Sequence, residues 1–392
     1  MQKPARSQHS IKPPPLSLYV HIPWCVRKCP YCDFNSHALP DELPVKAYVS
    51  ALIDDLRLDS QYAQGRKLES IFFGGGTPSL FPSSAIGDVI DEAEKRIGFQ
   101  DDIEITLEAN PGAAEYSNLK GLLNAGVNRL SLGIQSFDNR HLERLGRIHN
   151  SNEAETAVKS AQDAGFKNIN IDLMHGLPGQ SLDEARTDLT RGLSLQTQHL
   201  SWYQLTIEPN TQFYSAPPVL PIEDELWKIQ QMGLEQLAAG GFERYEISAY
   251  CLKNNEAKHN LNYWRFGDYI GIGAGAHGKL TIDDSLFRST KTRLPADYLA
   301  RYSKNTQIHT ANMQQIDSEN LVIDFMMNAL RLRGGVSEQI FLERTGLPLS
   351  LVAEKIRILQ KKGLLKENEK HICTSEKGFD FLNTVLQEFM PS

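Results

Sequence analysis

Apolar, β-branched runs recur along the first half of the chain, beginning at Leu16, Ser70, Ile103, Arg129, Asn168 and Leu200, and each breaks off in a polar or Gly/Pro loop. Between them lie amphipathic stretches at 45–63, 85–98, 116–126, 152–165 and 182–196, with apolar positions at helical spacing and several closing on glycine. Strands alternating with helices of this length dictate βαβ units, right-handed crossovers and a parallel sheet. Six such units over residues 16–215 suit an α/β fold of the incomplete TIM-like (β/α)6 barrel type, because polar residues gather at the strand carboxyl ends, where barrel active sites form. A doubly wound open sheet is the competing arrangement, and spacing alone does not separate the two.

After residue 215 the pattern changes. Residues 223–241 read as a helix, 245–251 as a strand and 258–278 as a Gly-rich, aromatic loop region, so 216–312 is expected to connect or complete the barrel. From 313 to 392 the chain turns helical, and a helical segment at 346–365, a short strand in KHICTS and a last helix resemble a smaller, winged-helix-like domain. Such modules often read DNA, but residues 335–392 carry eight Lys/Arg against eight Asp/Glu, leaving no surplus to neutralise phosphates. The whole chain has 392 residues and a net charge of -7, which also argues against nucleic acid as a partner. Residues 1–15, basic and Pro-rich without the apolar core of a secretory signal, are expected to be loose. No later stretch has the length of a membrane span, so a cytoplasmic protein is expected.

Three of the five cysteines, Cys25, Cys29 and Cys32, share one loop after the first strand. Spacings of three and four suit a disulfide framework poorly and point to a metal in a reducing compartment. Thiolates suit zinc and iron-sulfur clusters alike. His21 and His37 flank the loop and could complete a Cys3His zinc site; a 4Fe-4S cubane on three cysteines would leave one iron open to an outside ligand. Cys251 and Cys373 stand far off and read as small buried hydrophobes.

The CxxxCxxC spacing resembles the radical S-adenosylmethionine superfamily. Gly74-Gly75-Gly76-Thr77-Pro78, Glu108-Ala109-Asn110-Pro111, Gln135-Ser136-Phe137 and Asp172 to Pro178 follow in the order of its oxygen-independent coproporphyrinogen III oxidase-like group, over roughly residues 16–215. The resemblance implies a 4Fe-4S cluster on Cys25, Cys29 and Cys32, and S-adenosylmethionine held by Tyr19, Tyr31, Gly75, Gly76, Thr77, Glu108, Gln135, Arg147 and Asp172. The two tyrosines would flank the cluster, and the glycine amides would face the methionyl part of the cofactor.

Two departures separate the chain from the oxidases. Asp33-Phe34 follows Cys32 where they carry a further cysteine, and only about fifteen residues precede the first strand. The CDFNSH continuation and His259-Asn260-Leu261-Asn262-Tyr263-Trp264 instead resemble the HemW family of heme chaperones, which makes His259 a candidate heme ligand. His277 is a second candidate. The GIGAGAHG run at 271 lacks the βαβ setting of a dinucleotide site and reads as close backbone packing. This likeness implies heme as cargo, recipients among respiratory heme proteins, an electron donor for the cluster and docking at the inner face of the membrane. Monomer and homodimer both stay open, as does oxidative decarboxylation of coproporphyrinogen as the alternative activity.

Overall fold

The computed structural model describes residues 11–112, 118–303, 310–367 and 370–391. Its first strand, β1 (Leu16–Ile22), is buried at all positions but Tyr19, the near-continuous apolar run that a sheet covered on both faces requires. Parallel neighbours follow in chain order: β2 (Leu68–Gly75), β3 (Phe99–Ala109), β4 (Arg129–Gln135), β5 (Asn168–His175) and β6 (His199–Gln204). The crossovers carry α1 (Val45–Asp59), α2 (Ser83–Arg96), α3 (Leu119–Asn124), α4 (Asn139–Arg144), α5 (Ser151–Ala164) and α6 (Leu182–Ser194). Local chemistry sets their ends. Asn150 and Glu153 close a reciprocal cap on the first turn of α5, and Gly165, with φ 106°, ends it. Ser181 and Glu184 cap α6 the same way. The first two residues of the helix expected at 116–126 lie outside the described residues.

The segment 258–278 is not the loop that its glycines suggest. It folds as α8 (Lys258–Trp264) and β9 (Asp268–Ile272), and β9 pairs in parallel with β1 as a seventh parallel strand. Before it come α7 (Glu223–Ala239) and the short strands β7 (Glu243–Arg244) and β8 (Ala249–Cys251), which pair antiparallel beyond β6. After it, β10 (His277–Ile282), β11 (Ser285–Lys291) and β12 (Thr310–Gln315) extend the sheet antiparallel. The order is β12-β11-β10-β9-β1-β2-β3-β4-β5-β6-β8-β7, and among the described residues the outer strands do not pair, so the barrel stays open.

Buried ion pairs fasten this extension to the barrel. Asp268 accepts from Arg66 at 2.8 Å and from Lys279 at 2.9 Å, and Lys291 donates to Asp55 and Asp59 at 2.6 Å each. Burial alone pushes the Asp268 carboxyl up, yet Lys279 and Arg66 bring it below its ordinary range.

The carboxyl-terminal part is mainly helical, with α9 (Ser318–Ala329), α10 (Glu338–Thr345) and α11 (Ser350–Lys361) beside a ribbon of Val336–Ser337 on His371–Ile372. Its core, built on Phe325, Phe341 and Phe389, also takes in Phe266, Leu286 and Ile11. Ile11 donates its N–H to Asp284 at 2.7 Å. Of the stretch expected to be loose, residues 1–10 lie outside the described residues, and the chain at Ile11 is packed, because its side chain has an apolar core to enter.

Candidate functional site

The carboxyl ends of β1 to β6 converge on one mouth, as parallel strands must. There a cavity of about 150 Å³ is lined by Cys25, Cys29, Cys32, Tyr31, Gly75, Gly76, Thr77, Glu108, Gln135, Arg147 and Asp172. Every proposed cluster and cofactor residue except Tyr19 is therefore in one place. Ser131, Gly133 and Tyr203 also line it and were not singled out from the sequence, and Asn110, read there only as part of the motif after Glu108, joins them.

The glycine run works by proximity. A Cβ on Gly75 would stand 2.4 Å from the His21 ring, and one on Gly76 would stand 2.5 Å from the Trp24 carbonyl oxygen. Only hydrogen at these positions lets β2 lie against the start of the cysteine loop. The expectation that the amides await a ligand does not hold. Gly75 N–H goes to Glu108 Oε2 at 3.1 Å, and Gly76 and Thr77 N–H go to the carbonyls of Ile22 and Trp24 at 2.8 Å each. Buried backbone donors take the acceptor nearest in the chain's own fold.

Glu108, at the end of β3, faces the cavity with that one amide as partner. Burial, and then the neighbouring Asp172, push its carboxyl up to about 8. Asp172 is raised by burial too, against hydrogen bonds from Asn170 at 2.8 Å and Ser131 at 3.1 Å. Gln135 ends β4 with φ 69°, a left-handed conformation uncommon for a side chain with a Cβ, and its Oε1 accepts from Tyr203 at 2.6 Å. Arg147 donates to the Gly133 carbonyl at 2.6 Å, to Asn110 Oδ1, and to Cys29 Sγ at 3.6 Å. Its guanidinium thus stands where a thiolate would form. Burial pushes the Cys25 and Cys32 thiols up, partly offset by Thr77 and Ser36 respectively.

Three thiols beside a guanidinium are a donor set that suits an iron-sulfur cluster. Sulfurs on one tetrahedral zinc, each at ~2.3 Å, stand about 3.8 Å apart. Among the described residues, the three cysteines are not a set whose sulfurs all lie within 4.8 Å of one another; Asp138, His141 and Glu184 are such a set, and Arg140 bridges those two carboxylates. The histidines do not complete a Cys3His site either. His21 is buried with Nδ1 on the Tyr19 hydroxyl at 2.9 Å and Nε2 on the Asn35 carbonyl at 2.9 Å, and His37 Nε2 meets Asn35 Oδ1 at 3.2 Å. Neither ring lines the cysteine cavity.

Tyr19 sits elsewhere, on an adjoining cavity of about 400 Å³ that shares Gly75, Glu108 and Phe34 with the first. Its ring lies beside Phe72, with centroids 6.3 Å apart, rather than at the cysteines. His259 is a plainer correction. At 1% exposure its Nδ1 meets Ser70 at 2.8 Å and its Nε2 meets Tyr263 at 2.7 Å. Burial lowers its pKa to about 3, so the ring is neutral and both nitrogens are engaged. It is a polar peg between α8 and β2, without a free nitrogen for iron. His277, by contrast, is exposed at the second cavity.

Residues 19–190 match the radical SAM superfamily, and residues 316–381 match the HemN C-terminal domain. A protein of Haemophilus influenzae named heme chaperone HemW is 49% identical over 385 residues, covering 97% of this chain and 99% of that one. Its Escherichia coli counterpart of the same name is 47% identical, with 97% and 99% covered. The chain belongs to the HemW family. A more distant HemW, from Bacillus subtilis, keeps 32% identity over 95% of this chain and 99% of its own. Among solved structures, the coproporphyrinogen III oxidase HemN of Escherichia coli superposes with a TM-score of 0.80 at 22% identity, covering 96% of this chain and 90% of that one. At that identity HemN shares the fold: an α/β partial barrel with a helical carboxyl-terminal domain. In this chain the histidine of the His259 to Trp264 segment is held by Ser70 and Tyr263.

Proposed function

We propose that the protein is a heme chaperone that carries a 4Fe-4S cluster on Cys25, Cys29 and Cys32, binds S-adenosylmethionine beside it, and hands heme to recipient heme proteins. The observation that carries this reading is near-full-length identity of 47–49% to two proteins named heme chaperone. The cluster would supply an iron with one corner not held by the protein and an electron for the sulfonium of its ligand. The chain's own residues suit that guest. Arg147 donates to Cys29 Sγ and so places positive charge beside a sulfur that would hold the cluster. Glu108 offers a carboxyl for ribose hydroxyls, Gln135 and Asp172 offer further polar contacts, and Tyr31 offers an aromatic edge to the adenine.

Oxidative decarboxylation of coproporphyrinogen is the second reading. Phe34, exposed where the oxidases carry a cysteine, speaks against it. Recipients would be respiratory heme proteins, with an electron donor for the cluster and a cytoplasmic location that includes docking at the membrane's inner face. No helix among the described residues is long and apolar enough to cross a membrane.

Anaerobically reconstituted protein is expected to contain about four irons per chain, to bind heme, and to transfer it to an apo-heme acceptor. Cys29→Ser is expected to lose most of that iron, as measured by iron analysis and the visible spectrum. Stoichiometric zinc in place of iron would discard the cluster. Conversion of coproporphyrinogen to protoporphyrinogen in the presence of reductant and S-adenosylmethionine would favour the oxidase.

A further inference from the structure

The second cavity, of about 400 Å³, lies across Gly75 and Glu108 from the cysteines. That volume is within the ordinary range for small-molecule and cofactor sites. Its walls are unusually aromatic: Tyr19, Tyr263 and Tyr269 line it, the last two with ring centroids 4.5 Å apart, and Phe34, 61% exposed, stands on the rim it shares with the cysteine cavity. Tyr263 and Tyr269 meet edge to face at 65°, and this aromatic side, with Asp33 and Asn35 as the polar edge beside Glu108 and an exposed apolar ring at the entrance, suits a guest with a broad apolar face.

Two imidazoles face this space, and they differ. His21 has a partner on each nitrogen, Tyr19 and the Asn35 carbonyl. His277 opens β10 and is exposed, and its ring makes no hydrogen bond to another described residue. Its backbone is fixed from both sides: β10 pairs with β9 and β11, and a Cβ on Gly271 would stand 1.9 Å from the His277 carbonyl oxygen. An exposed ring on a fixed backbone, open to solvent and not committed to another side chain, can take a metal.

Resting on the heme-chaperone reading, we infer that heme is seated in this side cavity with His277 as its axial ligand, among Tyr19, Tyr263, Tyr269 and Phe34. His259 then serves only to hold α8, and so Tyr263, in place. The wall of Gly75 and Glu108 separates heme from the cluster cavity, so cargo and cofactor are neighbours without sharing a site.

The test is a heme titration of the anaerobically reconstituted protein and of His277→Ala, with iron content as the check on folding. The expected result is heme affinity at least tenfold weaker in His277→Ala, a shifted Soret band, an unchanged cluster, and recovery of the wild-type band on adding imidazole. His277→Ala with wild-type affinity and spectrum would overturn the assignment, as would a lost band that imidazole does not restore. Failure of the wild-type protein to bind heme at all would instead sink the chaperone reading itself.

Discussion

Glu108 is a carboxylic acid held largely protonated at neutral pH by its surroundings, with a pKa of about 8 against an ordinary 4.5. Between those values the folded chain keeps a proton that the unfolded chain gives up, so this residue makes stability fall as pH rises through that window. Glu108→Gln is therefore expected to raise the melting temperature most at pH 8 and little at pH 5, while weakening S-adenosylmethionine binding at least tenfold; thermal scans from pH 5 to 9 and calorimetric titration check both. Most of the site was legible at this scale. Cys25, Cys29, Cys32 and the motif residues at the strand ends needed only their order along the chain, because parallel strands bring their carboxyl ends together. Tyr203 was missed although it stands at the end of the sixth strand, as nothing in WYQLTIEP marks which side chain turns inward. Tyr19 and His259 were misplaced because order along a chain says nothing about which wall a side chain joins. Their own partners, His21 and Phe72 for one and Ser70 and Tyr263 for the other, settle that.

At the scale of elements, β2 ends as a fastener. Its glycines press on the chain that leads into the cysteine loop, and a methyl on Gly76 has backbone, not a movable side chain, in its way. Gly76→Ala is expected to displace that loop and cut bound iron to less than half, read by iron analysis beside a circular dichroism spectrum that stays native. The buried carboxylate of Asp268 pins β9 to β10 and to Arg66. Asp268→Asn leaves those cations uncompensated and is expected to cost about 3–5 kcal/mol in urea unfolding. The Asp268 carboxyl sits below its ordinary 3.8, so its contribution is present above that value and fades as pH falls through the folded-state pKa. The six βα units could be read from sequence because each carries its own apolar run and its own stop. Strand β9 could not. Its DYIGI is flanked by glycines, and its strand character comes from lying between β1 and β10.

Among the described residues there are two principal hydrophobic cores, one between the sheet and the helices that cover it and one built around α9 and α10, and the second takes in Ile11, Phe266 and Leu286 from earlier in the chain. Phe325 is fully buried against Phe266 and Phe341, with ring centroids 5.4 and 5.1 Å away. Phe325→Ala is expected to cost about 3–5 kcal/mol. Because Phe266 lies between α8 and β9, calorimetry should show the barrel's transition moving down as well, not a lone early melting of the helical end. One trait of the architecture bears on how the proposed cargo would enter and leave. The strands stop short of a full circle, with β7 and β12 left unjoined. A closed ring admits only what fits through its ends, whereas a horseshoe accepts a broad, stiff plate slid in from the flank and releases it by the same route, with no part of the frame dismantled.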